Sequence, residues 1–157
     1  MEKALEGLHP AGYAWALACC RWDRSEAEDV LQTSYLKLLD GRAQFDRDSS
    51  FRTFFFSVIR NTAADRRRRR WVMTLGLSAL RDAGEAAELR GGDEGVAVRR
   101  ALSRLSQRQR EVLELVFFHG NTVEEAAKVM GVSVGSARTH YHRGKSRLAE
   151  ELDEHRE

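Results

Sequence analysis

The sequence predicts an all-α protein of two small helical domains joined by a flexible linker. Proline occurs once, at Pro10, and charged residues make up 32% of the 157-residue chain, a composition that suits helices and offers little for a turn-rich β fold. Apolar residues recur at spacings of three and four through several long windows. Between Gly76 and Gly95 the stretch GLSALRDAGEAAELRGGDEG holds five glycines, an acidic bias and weak apolar periodicity, which reads as a linker with at most a turn or two of helix. The domains are then residues 1–75 and 96–157, each near the small end of the domain range, and 42% hydrophobic content is enough for two cores.

Within the first domain, Ser25 followed by Glu28 has the form of a capping box. Ala27, Val30, Leu31, Ser34, Tyr35, Leu38 and Leu39 then mark the buried face of a helix. Its opposite stripe holds Asp29, Gln32, Thr33 and Leu36, neighbours at spacings of three and four. A polar stripe containing an apolar residue is either solvated surface or a docking surface. A second helix starts at Ser49 or Ser50 and runs toward Trp71, with Phe51, Phe54, Phe55, Val58, Ile59, Thr62 and Ala63 keeping the helical repeat. The remaining face shows Arg52, Phe56, Arg60 and Arg67, bordered by Asn61 and Asp65. Phe56 is either core or an aromatic placed among arginines to stack on an unpaired base.

The second domain is more clearly punctuated. Leu102 and Leu105 close a short helix, and Ser106 with Gln109 caps the next, whose Val112, Leu113, Val116 and Phe117 are expected to face inward. Gly120 is a C-cap, Thr122 with Glu125 opens TVEEAAKVMG, and after Gly131 a further helix starts at Ser133. Helix, tight glycine turn, helix is the helix-turn-helix pattern. Val134, Ala137, Tyr141, Gly144 and Leu148 fall on one side of the last helix, and Ser136, Arg138, Thr139, His140, His142 and Arg143 on the rest. Small polar groups near its start reach base edges, and arginines reach guanine or phosphate.

The net charge of +2 conceals segregation. Residues 51–71 hold seven arginines against Asp65 alone, and residues 138–147 hold four basic residues, two histidines and no acid. Two basic surfaces on one chain point to a polyanion as partner. Catalytic signatures are missing: there is no Gly-rich phosphate loop, HExxH or CxxC, and no locally signed Ser, His and Asp set. His140 and His142 diverge on a helix, the adjacent Cys19 and Cys20 read as buried thiols, and no cofactor or metal is expected. The N-terminus carries no long apolar run behind a basic start, so the expected location is the cytoplasm, with no membrane span.

Three blocks, SEAEDVLQTSYLKLL, FDRDSSFRTFFFSVIRNTAADRRRR and ALSRLSQRQREVLELVFFHGNTVEEAAKVMGVSVGSARTHYHRGKSRL, resemble the extracytoplasmic-function (ECF) sigma factors of bacterial RNA polymerase in content and in order. The resemblance implies a sigma region 2 helical bundle over 1–75, a linker over 76–95 and a sigma region 4 helix-turn-helix over 96–157. It implies that Asp29, Gln32, Thr33 and Leu36 grip the clamp helices of the beta-prime subunit of core polymerase. Phe56, Arg60, Asn61, Asp65, Arg66, Arg67 and Arg68 would melt and read the minus-ten element, with an unstacked base held in a protein pocket. Ser133, Ser136, Arg138, Thr139, His140, His142 and Arg143 would meet the minus-thirty-five element. The implied partners are core polymerase, through its clamp helices and beta flap, promoter DNA and an anti-sigma factor. Such a factor is not an enzyme. Ala137 is smaller, and Tyr141 larger, than the residues usual in that family.

Two other readings stand beside this one. LSQRQREVLELV and SARTHYHRGKSRL also resemble a response-regulator output domain, which would make the chain a stand-alone helix-turn-helix regulator. A helical adaptor for acidic protein surfaces is the third. Not all five consecutive arginines need touch DNA; the others are expected to meet the acids between Asp82 and Glu94.

Overall fold

A computed structural model describes residues 1–75, 92–154 and 156, and every regular element among them is helical. The chain divides into two units, with the division between Ala87 and Glu88. The expected linker and its acids lie largely outside the described residues. Asp93 and Glu94, placed in that linker by the sequence reading, instead stand in the first turn of a helix.

In the first unit α1 runs Glu2–Cys19, α2 Arg24–Leu39 and α3 Phe51–Thr74. Pro10 is exposed and does not end α1, which is pinned on its other side by buried Leu5, Trp15, Ala16 and Cys19. Gly12 sits where α1 meets α3: a Cβ there would stand 2.7 Å from Phe55 Cε1, closer than side chains approach. Trp15 stacks on Phe56 and donates its indole N–H to the Phe56 carbonyl at 3.0 Å, locking the two helices in one register.

The cap of α2 is Asp23 rather than Ser25. Arg21 and Trp22 have φ of 51° and 64°, left-handed values that turn the chain and make Asp23 the last extended residue. Its carboxylate accepts from Glu26 N–H at 3.1 Å. Burial of Trp22 holds that turn. Ala27, Val30, Leu31, Ser34 and Leu38 face inward as expected, whereas Leu39 is 56% exposed and borders an open groove with Leu5 and Tyr35. Ser50 caps α3, accepting from Thr53 N–H at 3.1 Å.

In the second unit α4 runs Asp93–Ser103, α5 Gln107–Leu113, α6 Val123–Met130 and α7 Val134–Glu154. Ser106 caps α5 and Thr122 caps α6, with bonds of 3.3 and 3.1 Å to the N–H groups three residues on. Gly131, at φ 66°, ends α6 in the left-handed conformation that glycine adopts without penalty. Between α5 and α6 lies a π-helical turn, Glu114–Phe118, and it corrects one expectation. The wider turn shifts the register that a 3.6-residue repeat assumes, so Leu115 is fully buried while Phe117 is 53% exposed. Gly144 lets α7 lie against α5: a Cβ there would stand 3.2 Å from both Gln109 Cβ and Leu113 Cδ1.

Candidate nucleic-acid and protein interfaces

On α2 the expected docking stripe is outward-facing. Asp29, Gln32 and Leu36 are exposed, Leu36 to 57%, and Thr33 is half-buried. Gln32 lines a shallow groove with His9, Tyr13 and Tyr35, and the Tyr35 hydroxyl and His9 Nδ1 are hydrogen-bonded at 2.7 Å. A polar side chain beside aromatic edges and an exposed leucine is the composition of a protein interface more than of plain helix surface.

The arginine run on α3 is folded back onto its own unit. Glu26 in the first turn of α2 is 9% exposed, and its carboxylate accepts from Arg66 Nε at 2.7 Å and from Arg70. Arg66 also reaches Asp29 at 3.4 Å. Arg67 donates to the Cys19 carbonyl at 3.2 Å, and Arg68 pairs with Asp65. Lys37 donates to Thr62 Oγ1 at 2.9 Å and lies 3.8 Å from Asp65. Arg66, Arg68 and Arg70 are thus ion-paired, Arg67 is held by a carbonyl, and Arg69 has neither contact among the described residues. Carboxylates of α2 and α3 therefore hold three of the five guanidinium groups in place.

Phe56 is a correction. Its ring is fully buried, stacked on Trp15 with centroids 5.9 Å apart and covered by the Arg52 guanidinium 4.6 Å away, so no base can stack on it. Arg52, at the edge, shields the ring from water. Arg60 and Asp65 are half-buried, and Asn61 and Arg68 are exposed. Glu26, which holds Arg66 and Arg70, is the residue of this site that the sequence reading did not single out. Its only local signal is that of a first-turn acid, which many helices carry. Cys19 is buried and Cys20 half-buried; burial first, then the nearby Glu26 carboxylate, pushes the Cys20 thiol up to about 12. A thiol so raised is a poor nucleophile and a poor metal ligand.

The last two helices are joined by the Gly131 turn. Ser133 Oγ accepts from Ser136 N–H at 3.1 Å, which starts α7. Ser136, Arg138, Thr139, His142 and Arg143 are exposed and His140 is half-buried, whereas Ala137 and Gly144 are buried. Tyr141 fills space beside Phe117, with ring centroids 6.1 Å apart. Arg138 pairs with Glu124 of α6 at 3.0 Å. Further along, Glu151 is 5% exposed and fixes Arg104, the residue that follows α4, at 2.9 Å and Arg147 at 3.1 Å, tying the end of α4 to the end of α7. Arg104, Arg147, His142 and Arg143 line one shallow depression. The face is polar and mostly cationic.

A family model described as Sigma-70 region 2 matches residues 6–72, and one described as Sigma-70, region 4 matches residues 95–148. The chain is 32% identical over 129 residues to the ECF RNA polymerase sigma factor EcfG of Rhodopseudomonas palustris, covering 78% of this chain and 69% of that one. It is 29% identical over 125 residues to the ECF RNA polymerase sigma factor SigM of Mycobacterium tuberculosis; the match covers 79% of this chain but spans only 63% of SigM. The sigma factor RpoE of Bartonella quintana, solved in complex with the anti-sigma factor NepR, superposes with a TM-score of 0.83 at 25% identity, covering 97% of this chain and 96% of that one.

Proposed function

The chain belongs to the extracytoplasmic-function sigma factors of the sigma-70 family, and from that premise we propose that it binds bacterial core RNA polymerase and directs promoter-specific transcription initiation. The observation that carries this is the first unit: the region 2 match coincides with three helices that expose Asp29, Gln32 and Leu36 on one and carry exposed Asn61 beside half-buried Arg60 and Asp65 on the next. A stand-alone helix-turn-helix regulator has no use for that unit and is not favoured. Asp29, Gln32, Thr33 and Leu36 bind the polymerase clamp helices. The outer face of α3, with Arg60, Asn61, Asp65, Arg67, Arg68 and Arg69, handles the minus-ten element, and α7 reads the minus-thirty-five element. Arg66 serves that face from behind, by holding α3 to α2.

In this role the protein performs no covalent chemistry; binding energy opens and selects the DNA. Its place of action is the cytoplasm, and no described helix is long and apolar enough to cross a membrane. An anti-sigma factor is a further expected partner, on likeness to the Bartonella quintana protein solved with one.

The test is co-elution of the folded chain with sigma-free core polymerase. Gln32→Ala should weaken the complex about tenfold, the loss typical of an interface anchor. Gln32 is the cleaner probe because Asp29→Ala also removes the contact with Arg66. Failure of the wild-type chain to bind core polymerase would overturn the proposal in favour of the stand-alone regulator.

A further inference from the structure

Glu124 stands in the first turn of α6, two residues after the Thr122 cap, and its Oε1 accepts from Arg138 Nη2 across the Gly131 turn at 3.0 Å. Its neighbour Glu125 is engaged elsewhere, accepting from the Asn121 side-chain amide at 3.1 Å. The two adjacent acids thus do different work: one fixes the turn before α6, the other fixes an arginine on the helix after it. Both members of the Arg138–Glu124 pair are more than half exposed. A pair so open to water adds little to stability, so its consequence is geometric.

An arginine side chain alone sweeps a wide cone. Tied through one N–H to a carboxylate, it keeps its remaining donors in a fixed plane, and a planar fork matches guanine O6 and N7. The carboxylate acts a second way. It repels phosphate, so an arginine paired to it is steered from the DNA backbone toward the base edges. It can also accept from cytosine N4, the complementary reading of a C·G pair. Glu124 remains ionised for this purpose, since its own backbone N–H first, and then Arg138, hold its carboxyl below the ordinary glutamate range. The other polar groups nearby are satisfied locally: Ser133 Oγ bonds Ser136 Oγ at 3.0 Å, and Thr139 Oγ1 donates to the Gly135 carbonyl at 3.1 Å. Among the charged side chains at the start of α7, Arg138 is therefore the one whose direction is set from outside its own helix.

We propose that Glu124 is a specificity-determining positioning residue, which holds Arg138 to read a guanine within a C·G pair and keeps it off the phosphates. This rests on the reading of α7 as the helix that enters the major groove.

The experiment is selection from a randomised duplex library, run on the full chain both alone and in complex with core polymerase, comparing wild type with Glu124→Gln, Glu124→Ala and Arg138→Ala. Arg138→Ala identifies the position that the arginine reads, as the one where preference for G collapses. Glu124→Gln keeps size and removes charge; it should reduce the preference at that same position about fivefold, a part of the discrimination a bidentate contact supplies. It should also raise affinity for unselected DNA, because an acid facing phosphate has gone. A merely structural glutamate moves neither quantity. Unchanged base preference in both Glu124 variants, with wild type selecting a sequence that Arg138→Ala relaxes, overturns the inference and leaves the DNA-reading role of α7 intact. A wild-type chain that selects no sequence in either setting overturns both.

Discussion

Helix α3 carries five consecutive arginines and helix α7 four cations spread over ten residues, and the two treat that charge differently. On α3 the counter-charge is buried beneath the run: Glu26, with side-chain exposure of 11%, ties two arginines to α2 across 40 and 44 residues of sequence. On α7 the partner at the reading end is exposed and comes from the adjacent helix, while the buried acid, Glu151, works at the far end. Among the described residues Arg67 and Arg69 of the α3 run have no ion pair, and on α7 Arg143 has none. A dense run of arginine is thus not a dense run of available charge. Much of the α3 run builds the surface that Arg69 and its neighbours present, whereas α7 presents its polar groups directly.

The units also differ in how they bury an acid. Glu26 is forked by guanidinium groups, whereas Glu114 at the start of the π turn accepts no side-chain hydrogen bond among the described residues and is 7% exposed. Burial pushes its carboxyl up to about 7, with Arg110 and Arg99 pulling back.

Removing Glu26 should be the most damaging change. Glu26→Ala strands Arg66 and Arg70 and should cost about 3 kcal/mol, the low end for breaking a buried pair because Arg70 is largely in solvent. All three tryptophans, Trp15, Trp22 and Trp71, belong to the first unit, so denaturant unfolding followed by tryptophan fluorescence reads this unit alone. A loss below about 1 kcal/mol, the scale of a surface pair, would erase the contrast between the helices.

Glu114 sharpens the contrast through pH. Its folded pKa of about 7 lies above the ordinary 4.5, so the folded state holds a proton that the unfolded state has released. The second unit should therefore lose stability as pH rises from about 4.5 to about 7, on the order of 3 kcal/mol, and level off above. Glu114→Gln should remove that slope, as read by denaturation followed by circular dichroism at pH 5 and pH 8. An equal slope in the variant would assign the pH dependence to other groups.

The smallest effect separates two neighbouring arginines. Arg69→Ala should lower the slope of log affinity against log salt by about 0.9, one phosphate contact, for DNA bound by the chain with core polymerase. Arg66→Ala should leave that slope in place and lower the stability of the first unit instead. The reverse pattern would make Arg66 the DNA contact and Arg69 a bystander.

The all-α class, the helical windows, the Ser50, Ser106 and Thr122 caps, the Gly131 turn and the outward stripe of Asp29, Gln32 and Leu36 were all legible in the sequence. Each depends on interactions within about four residues, which periodicity and capping rules describe. Helix α1 was not read from the sequence, Pro10 lying inside it where a proline usually breaks a helix, and the start of α2 was misread because the left-handed pair Arg21–Trp22 has no glycine to announce it. The fate of Phe56 and of the arginines was decided only by tertiary structure. Spacing places Phe56 on the arginine face, but Trp15 closes over it from 41 residues away and claims its carbonyl. The same spacing cannot say that Glu26 lies under Arg66, nor that a π turn rolls Phe117 outward and Leu115 in. Local rules fix which way a side chain leaves its own helix; what it meets there depends on the packing of distant helices, where a buried carboxylate takes up guanidinium groups that would otherwise face the solvent.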